Sequence, residues 1–258
     1  MTSSGVRVGL VGYGMAGRTI HRPLIEAAGL SITHVVTADA ARRDQASADL
    51  PDARLVPSLD ALLLEAYEVD VVVLASPTGV HAEQALSCVE AGLPVVVDKP
   101  LGVDAVQARR LVESARAAGV RLTVFQNRRW DPEHLTLQRL LAEGRLGEVF
   151  RFERRWERWR PVPKDRWREN AGPREGGGLL LDLGAHLVDS AVQLFGPVRE
   201  VYAELGARST FAEDDVPLAL GHENGVRSHL SALSLAGAPG PRTRVLGTSA
   251  AYVVTSFE

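Results

Sequence analysis

The chain has 258 residues, 45% of them hydrophobic, enough for a sizeable core in one large domain or two modest ones, and two is the expectation. Its formal charge of -3 gives no electrostatic reason to expect nucleic acid or an anionic membrane surface as the main partner. Cys88 is the single cysteine, which excludes an intrachain disulfide and a zinc-spaced cysteine cluster; with no secretory leader pattern and no apolar run of the ~18 residues that span a bilayer, a soluble cytoplasmic protein is expected.

Residues 6–11 are mostly apolar and break into Gly12, Tyr13, Gly14, Met15, Ala16 and Gly17 before a helix-compatible stretch, which reads as strand, tight turn and helix. Strands are expected over 31–37, 69–75, 94–97 and 121–125, and helices over 59–66, 80–91 and 103–118. Unbroken apolar strands alternating with helices predict a doubly wound parallel sheet, an α/β Rossmann domain over residues 1–125. Beyond Gln126 the pattern changes to a helix over 132–143, a long strand over 148–159, a Pro- and Gly-rich loop over 161–178 and a helix over 179–195. Strands near 198–205, 216–220, 226–235 and 242–246 follow, with Glu223, Asn224 and Gly225 as a hairpin turn. Residues 126–258 therefore read as an α+β domain with a mostly antiparallel sheet.

The spacing Gly12, Gly14, Gly17 between the first strand and first helix suits dinucleotide binding, with one glycine for the turn, one for approach to a pyrophosphate and one for helix packing. Thr37 stands where an acid would grip ribose hydroxyls, with Asp39 two residues later and Arg42 beyond. Asp39 favours NAD, whereas Thr37 with Arg42 tilts the reading toward NADP; Asp39 as a plain helix cap is the bland alternative. Ser76, Pro77, Thr78 and His81 follow a strand at the edge where such sheets bind ligands, and read either as cofactor lining or as a capping turn. Asp98, Lys99 and Pro100 end another strand, and only Lys99 and Lys164 among the 29 basic residues are lysines. On a helix, Asp182 and His186 would share a face, the imidazole serving an alcohol proton and the carboxylate orienting it. Trp156 and Trp159, among arginines, could form a single-strand nucleic-acid platform, which the interleaved glutamates and the acidic whole oppose; a strand that offers aromatic faces to a ligand ring suits them better, with exposed core-edge tryptophans as the plain alternative. His222 and His229 lack a third ligand, so no metal is expected.

Together the Gly12 loop, Asp98-Lys99-Pro100, Asn127-Arg-Arg-Trp130 and Gly176-Gly-Gly with Asp182, His186 and Asp189 resemble the Gfo/Idh/MocA oxidoreductase family. Asn127 to Asp131 with Asp165 to Glu169 resembles its branch of NADP-dependent scyllo-inositol dehydrogenases. The resemblance implies an open-faced second sheet that joins homo-oligomers, dimers or tetramers. It also implies NADP or NAD as cofactor and a sugar or cyclic polyol as substrate. Catalysis would fall to Lys99, which polarises the reacting oxygen, His186, the acid or base, and Asp182, which supports the relay. Asp98, Lys99, Pro100, Asn127, Trp167 and Arg168 would join the glycine loop in contacting cofactor. Asp98 replaces the glutamate of many members. Members also continue for tens of residues past the strand at 250–254, so a second domain shortened at its C-terminus is expected, and a catalytically inactive NAD(P)-binding sensor or scaffold is the alternative.

Overall fold

The computed structural model describes residues 5–256, and the chain divides into two compact units, one ending at Phe125 and the next beginning at Gln126. In the first, strands β1 (Arg7–Val11), β2 (Ser31–Val36), β3 (Arg54–Val56), β4 (Val71–Leu74), β5 (Val95–Asp98) and β6 (Leu122–Phe125) form one sheet in the order β3-β2-β1-β4-β5-β6. Every pairing is parallel, so the expected doubly wound sheet is present, with its strand order reversing between β1 and β4.

Helices cover both faces because the strands are apolar on both. Val8 and Leu10 pack with Ile25 of α1 (Arg22–Ala27) and Ala46 of α2 (Ala40–Asp49). Val72, Leu74, Val95 and Val97 pack on the opposite side with α3 (Leu59–Leu63), α4 (His81–Glu90) and α5 (Ala105–Ala117). Leu62 is fully buried, and its methyl carbon lies only 2.8 Å from the position a Cβ on Gly9 would take, so the helix rests directly on strand backbone. Side chains fix where helices begin: Asp39 accepts from the Arg42 N–H, Ser58 from that of Ala61, and Asp104 from those of Val106 and Gln107. Asp39 thus caps a helix, as in the bland reading of its role, while β3 has no counterpart among the expected strands.

The second unit packs α6 (Pro132–Ala142) and α8 (Ala185–Phe195) on a sheet of β7 (Val149–Glu157), β8 (Val198–Ala203), β9 (Asp215–His222), β10 (Arg227–Leu233), β11 (Thr243–Gly247) and β12 (Ala251–Val254). The order is β12-β11-β7-β10-β9-β8, and β7 with β10 is the parallel pair in an otherwise antiparallel sheet. Period-two alternation puts Phe152, Trp156, Leu230, Ala232 and Val245 in the core with Leu187, Ala191 and Phe195, while Arg227 and His229 on the other face are exposed. Arg154 also points inward. It is tolerated there because Glu133 of α6 accepts from its Nη2 at 2.5 Å and from Arg242 Nε at 2.6 Å. The hairpin expected at Glu223–Gly225 joins β9 to β10, with Gly225 at φ +89°. Residues 161–178, expected as loop, hold a one-turn helix, α7 (Trp167–Asn170).

Candidate functional site

The glycine loop follows β1 directly. Gly12 has φ +93°, a conformation side chains resist, and a Cβ on Gly17 would sit 2.0 Å from the Gly12 carbonyl oxygen. A Cβ on Gly14 would meet nothing nearer than the Arg42 guanidinium carbon at 3.9 Å, so the backbone at Gly14 is open to a ligand. A cleft of about 400 Å³ lies there, lined by Gly14, Met15, Asp39 and Arg42 among others. These features fit a dinucleotide phosphate against loop backbone. Tyr13 and Thr37 are buried; the Tyr13 hydroxyl donates to Asp49, which also binds Arg18, and these hold Asp49 down to about 2.

His81 reads either as cofactor lining or as a helix-start residue of a capping turn. In the structure it is buried, and each ring nitrogen lies 2.8 Å from a backbone carbonyl, those of Pro100 and Ser76. Its ring is a brace between two loops, and no nitrogen remains to meet a ligand. Thr78 is buried as well, Pro77 exposed, and Ser76 donates to Gln84. Lys99 directly follows β5, where its N–H donates to the Asp98 carboxylate and its bond to Pro100 is cis. Burial raises the affinity of Asp98 for a proton, but His21, 3.7 Å away, and the Lys99 N–H outweigh it and hold the carboxyl below its usual range.

In the second unit the expected regular helix over 179–195 begins with a π turn, Leu180–Gly184, so Asp182 lies on a widened turn and His186 in the first turn of α8. Asp182 pairs with Arg168 Nε at 3.2 Å. The three glycines explain how α7 comes close enough: a Cβ on Gly177 would strike the Ala171 carbonyl at 2.0 Å, and the Gly178 N–H donates to the Arg168 carbonyl. The Arg168 guanidinium lies 4.5 Å from the Trp167 ring centre. Asn127 opens a 3-10 turn, Asn127–Trp130, whose Arg129 forks onto Asp189 of α8. Trp156 does not offer its ring to solvent: it is buried and stacks on His186, while Trp159 is exposed. This corrects the expectation for Trp156.

Residues 6–126 match the family described as oxidoreductase family, NAD-binding Rossmann fold, and residues 134–253 match the GFO/IDH/MocA C-terminal domain. The chain belongs to the Gfo/Idh/MocA family. It is 43% identical to the uncharacterized oxidoreductase YdgJ of Escherichia coli over 81% of this chain and 60% of YdgJ. It is 32% identical to scyllo-inositol 2-dehydrogenase (NADP(+)) IolW of Bacillus subtilis over 96% of this chain and 68% of IolW. The WlbA dehydrogenase of Bordetella pertussis, solved with NADH and UDP-GlcNAcA, superposes with a TM-score of 0.84 at 27% identity over 94% of this chain and 77% of WlbA. The chain thus spans 60% of the length of YdgJ and 68% of that of IolW.

In this Gfo/Idh/MocA chain, sequence reasoning missed Arg128 and Arg158, whose guanidinium carbons lie 5.0 and 5.5 Å from the centre of the Trp156 ring. The interleaving of arginine with tryptophan along β7 was the available signal. His222 is buried, with Nδ1 2.9 Å from the Gly196 carbonyl and Nε2 2.8 Å from the Ser228 hydroxyl, a structural histidine. Among the described residues His34, Glu65 and Glu68 bring three metal-capable atoms within 4.8 Å of one another, but Arg54 already pairs with Glu65, which makes the group an ion-pair cluster. No helix among the described residues is long and apolar enough to cross a membrane.

Proposed function

We propose that this chain binds NADP in preference to NAD at the glycine loop and acts on the hydroxyl-bearing carbon of a sugar or inositol-like cyclic polyol. The observation that carries this reading is the likeness, over 96% of the chain, to an NADP-dependent scyllo-inositol dehydrogenase. The presence of Lys99, Asp182 and His186 supports it.

The nicotinamide, when bound, supplies or takes the hydride. Lys99 donates a hydrogen bond to the reacting oxygen and stabilises charge that develops there. His186 takes the alcohol proton in oxidation and returns it in ketone reduction. Asp182, held by Arg168, orients that exchange. The NADP preference rests on Asp39 and Arg42: the carboxylate accepts the Arg42 N–H at 2.8 Å as a helix cap, while the guanidinium overlies Gly14 in the cleft. A homo-oligomer formed through the second sheet and a cytoplasmic site of action belong to the same proposal.

Purified chain given NADP or NAD with a panel of inositols and aldoses tests it, read as absorbance of reduced nicotinamide. Turnover on a polyol, faster with NADP, is expected. Tight cofactor binding with no turnover across the panel, sugar phosphates and uronates included, would replace this reading with that of an inactive sensor or scaffold.

A further inference from the structure

Around the Trp156 ring that stacks on His186, positive charge exceeds the carboxylates available to it. Arg242 is matched by Glu133 at 2.6 Å and Asp131 at 3.6 Å, and Arg128 shares Asp131 at 3.4 Å. Arg158 has no carboxylate within ion-pair distance among the described residues, and neither does Arg160. The acidic group that acts on Arg158 electrostatically is Asp182, and Arg168 already holds it. Arg158 is half-buried, so bulk water does not fully solvate it. Burial pushes its guanidinium down to about 10, and the neighbouring charges of Arg160, Arg166 and Arg128 push the same way. A partly desolvated guanidinium surrounded by others is stabilised by an anion, and its planar fork matches the paired oxygens of a carboxylate or phosphate.

We propose that Arg158, with Arg128 and Arg160, forms an oxyanion subsite at the Trp156 ring that stacks on His186, and that the substrate is a polyol or sugar carrying a carboxylate or phosphate. A neutral polyol would leave that charge unmet. The inference rests on the dehydrogenase reading of His186 and narrows its substrate class. Cation–π contact alone is the competing account of Arg158, because its guanidinium carbon lies 5.5 Å from the indole centre. That contact satisfies the ring but gives neither Arg158 nor Arg160, both half-buried, a carboxylate partner among the described residues.

Calorimetric binding to the full chain saturated with NADP tests the proposal, with glucose 6-phosphate and glucuronate each compared with glucose. At least one charged sugar is expected to bind about tenfold or more tightly than glucose, as suits a charge-assisted bidentate contact. Arg158→Gln should remove most of that difference and Arg158→Lys should retain part of it. Arg160→Gln, read alongside, should reduce the difference even if Arg158→Gln fails to fold. Equal affinity for all three sugars overturns the inference, as does a charged-sugar advantage that survives both Gln variants. Binding of charged sugar that NADP abolishes also overturns it, because the arginines would then serve the cofactor. Turnover separates the two readings. Charged sugars bound through Arg158 without any cofactor reduction leave the subsite standing and remove the dehydrogenase, whereas oxidation of neutral polyols with a KM indifferent to Arg158→Gln does the opposite.

Discussion

The His186 imidazole lies stacked against the Trp156 indole, ring centres 5.8 Å apart and planes inclined by 25°. Trp156 is in turn fixed by β7, where its neighbours Phe152 and Arg154 are also buried. The stack thus sets the tilt of the proposed proton carrier from a rigid strand. Trp156→Leu should lower kcat by about tenfold to a hundredfold, because small misplacements of a reacting group are that costly. Cofactor Kd should stay within about twofold. Unchanged kcat in a folded variant would detach the indole from catalysis.

The proposed reaction assigns the polarising part to Lys99 and the acid–base part to His186. Lys99→Ala and His186→Ala should each reduce kcat by about two orders of magnitude or more. Steady-state rates with saturating cofactor test this, and a near-normal rate in either variant removes that residue from the mechanism.

Arg42 should discriminate between cofactors. Arg42→Ala is expected to weaken NADP by roughly tenfold, the worth of a charge-assisted hydrogen bond to phosphate, while the affinity for NAD is unchanged. Equal losses for both dinucleotides would assign Arg42 to the shared part of the ligand.

Glu133 anchors a buried charge cluster, accepting from Arg154, Arg242 and Thr243. Its removal takes the nearest carboxylate from two guanidiniums that are each only 5% exposed. Glu133→Ala should therefore cost about 3–5 kcal/mol in denaturant unfolding. A loss below about 1 kcal/mol would mean that solvent or other groups balance the arginines.

Cys88 gives the chain an alkaline limit. Burial raises the thiol from 9.0 to about 12. The folded state therefore keeps a proton that the unfolded chain gives up from about pH 9. Stability is fully present below that pH and falls by up to roughly 1.4 kcal/mol per pH unit on the way to 12. Unfolding measured at pH 8 and pH 10 should show this slope in the native sequence and a shallower one in Cys88→Ala. Rapid labelling of the native thiol at pH 8 would contradict its burial.

Much of the first unit was legible because parallel strands buried on both faces leave long apolar runs between helices. Of α2 only the Asp39 cap was legible, since its Arg, Asp, Gln and Ala residues bury only Ala46, and β3 has three residues, too few for any periodicity. Position in the sequence suggested Lys99, Asp182 and His186 as chemistry-bearing groups. Their supports were hidden for a common reason: the Arg168 grip on Asp182, the Trp156 stack on His186 and the two carbonyls around His81 are tertiary contacts with no spacing rule. The π turn was equally invisible, because Leu180, Leu181 and Leu183 fit an ordinary helix as well.

Strand β7 lies between β10 and β11, so both neighbours come from residues 227–233 and 243–247. While the polypeptide emerges from the ribosome at about 5–20 residues per second, Phe152 and Trp156 must wait for seconds with two bare strand edges beside them. The first unit can close in that interval, but the centre of the second cannot. The nascent form most exposed to mispairing is therefore a finished amino-terminal half that trails an unpaired β7, the species a chaperone would need to shield.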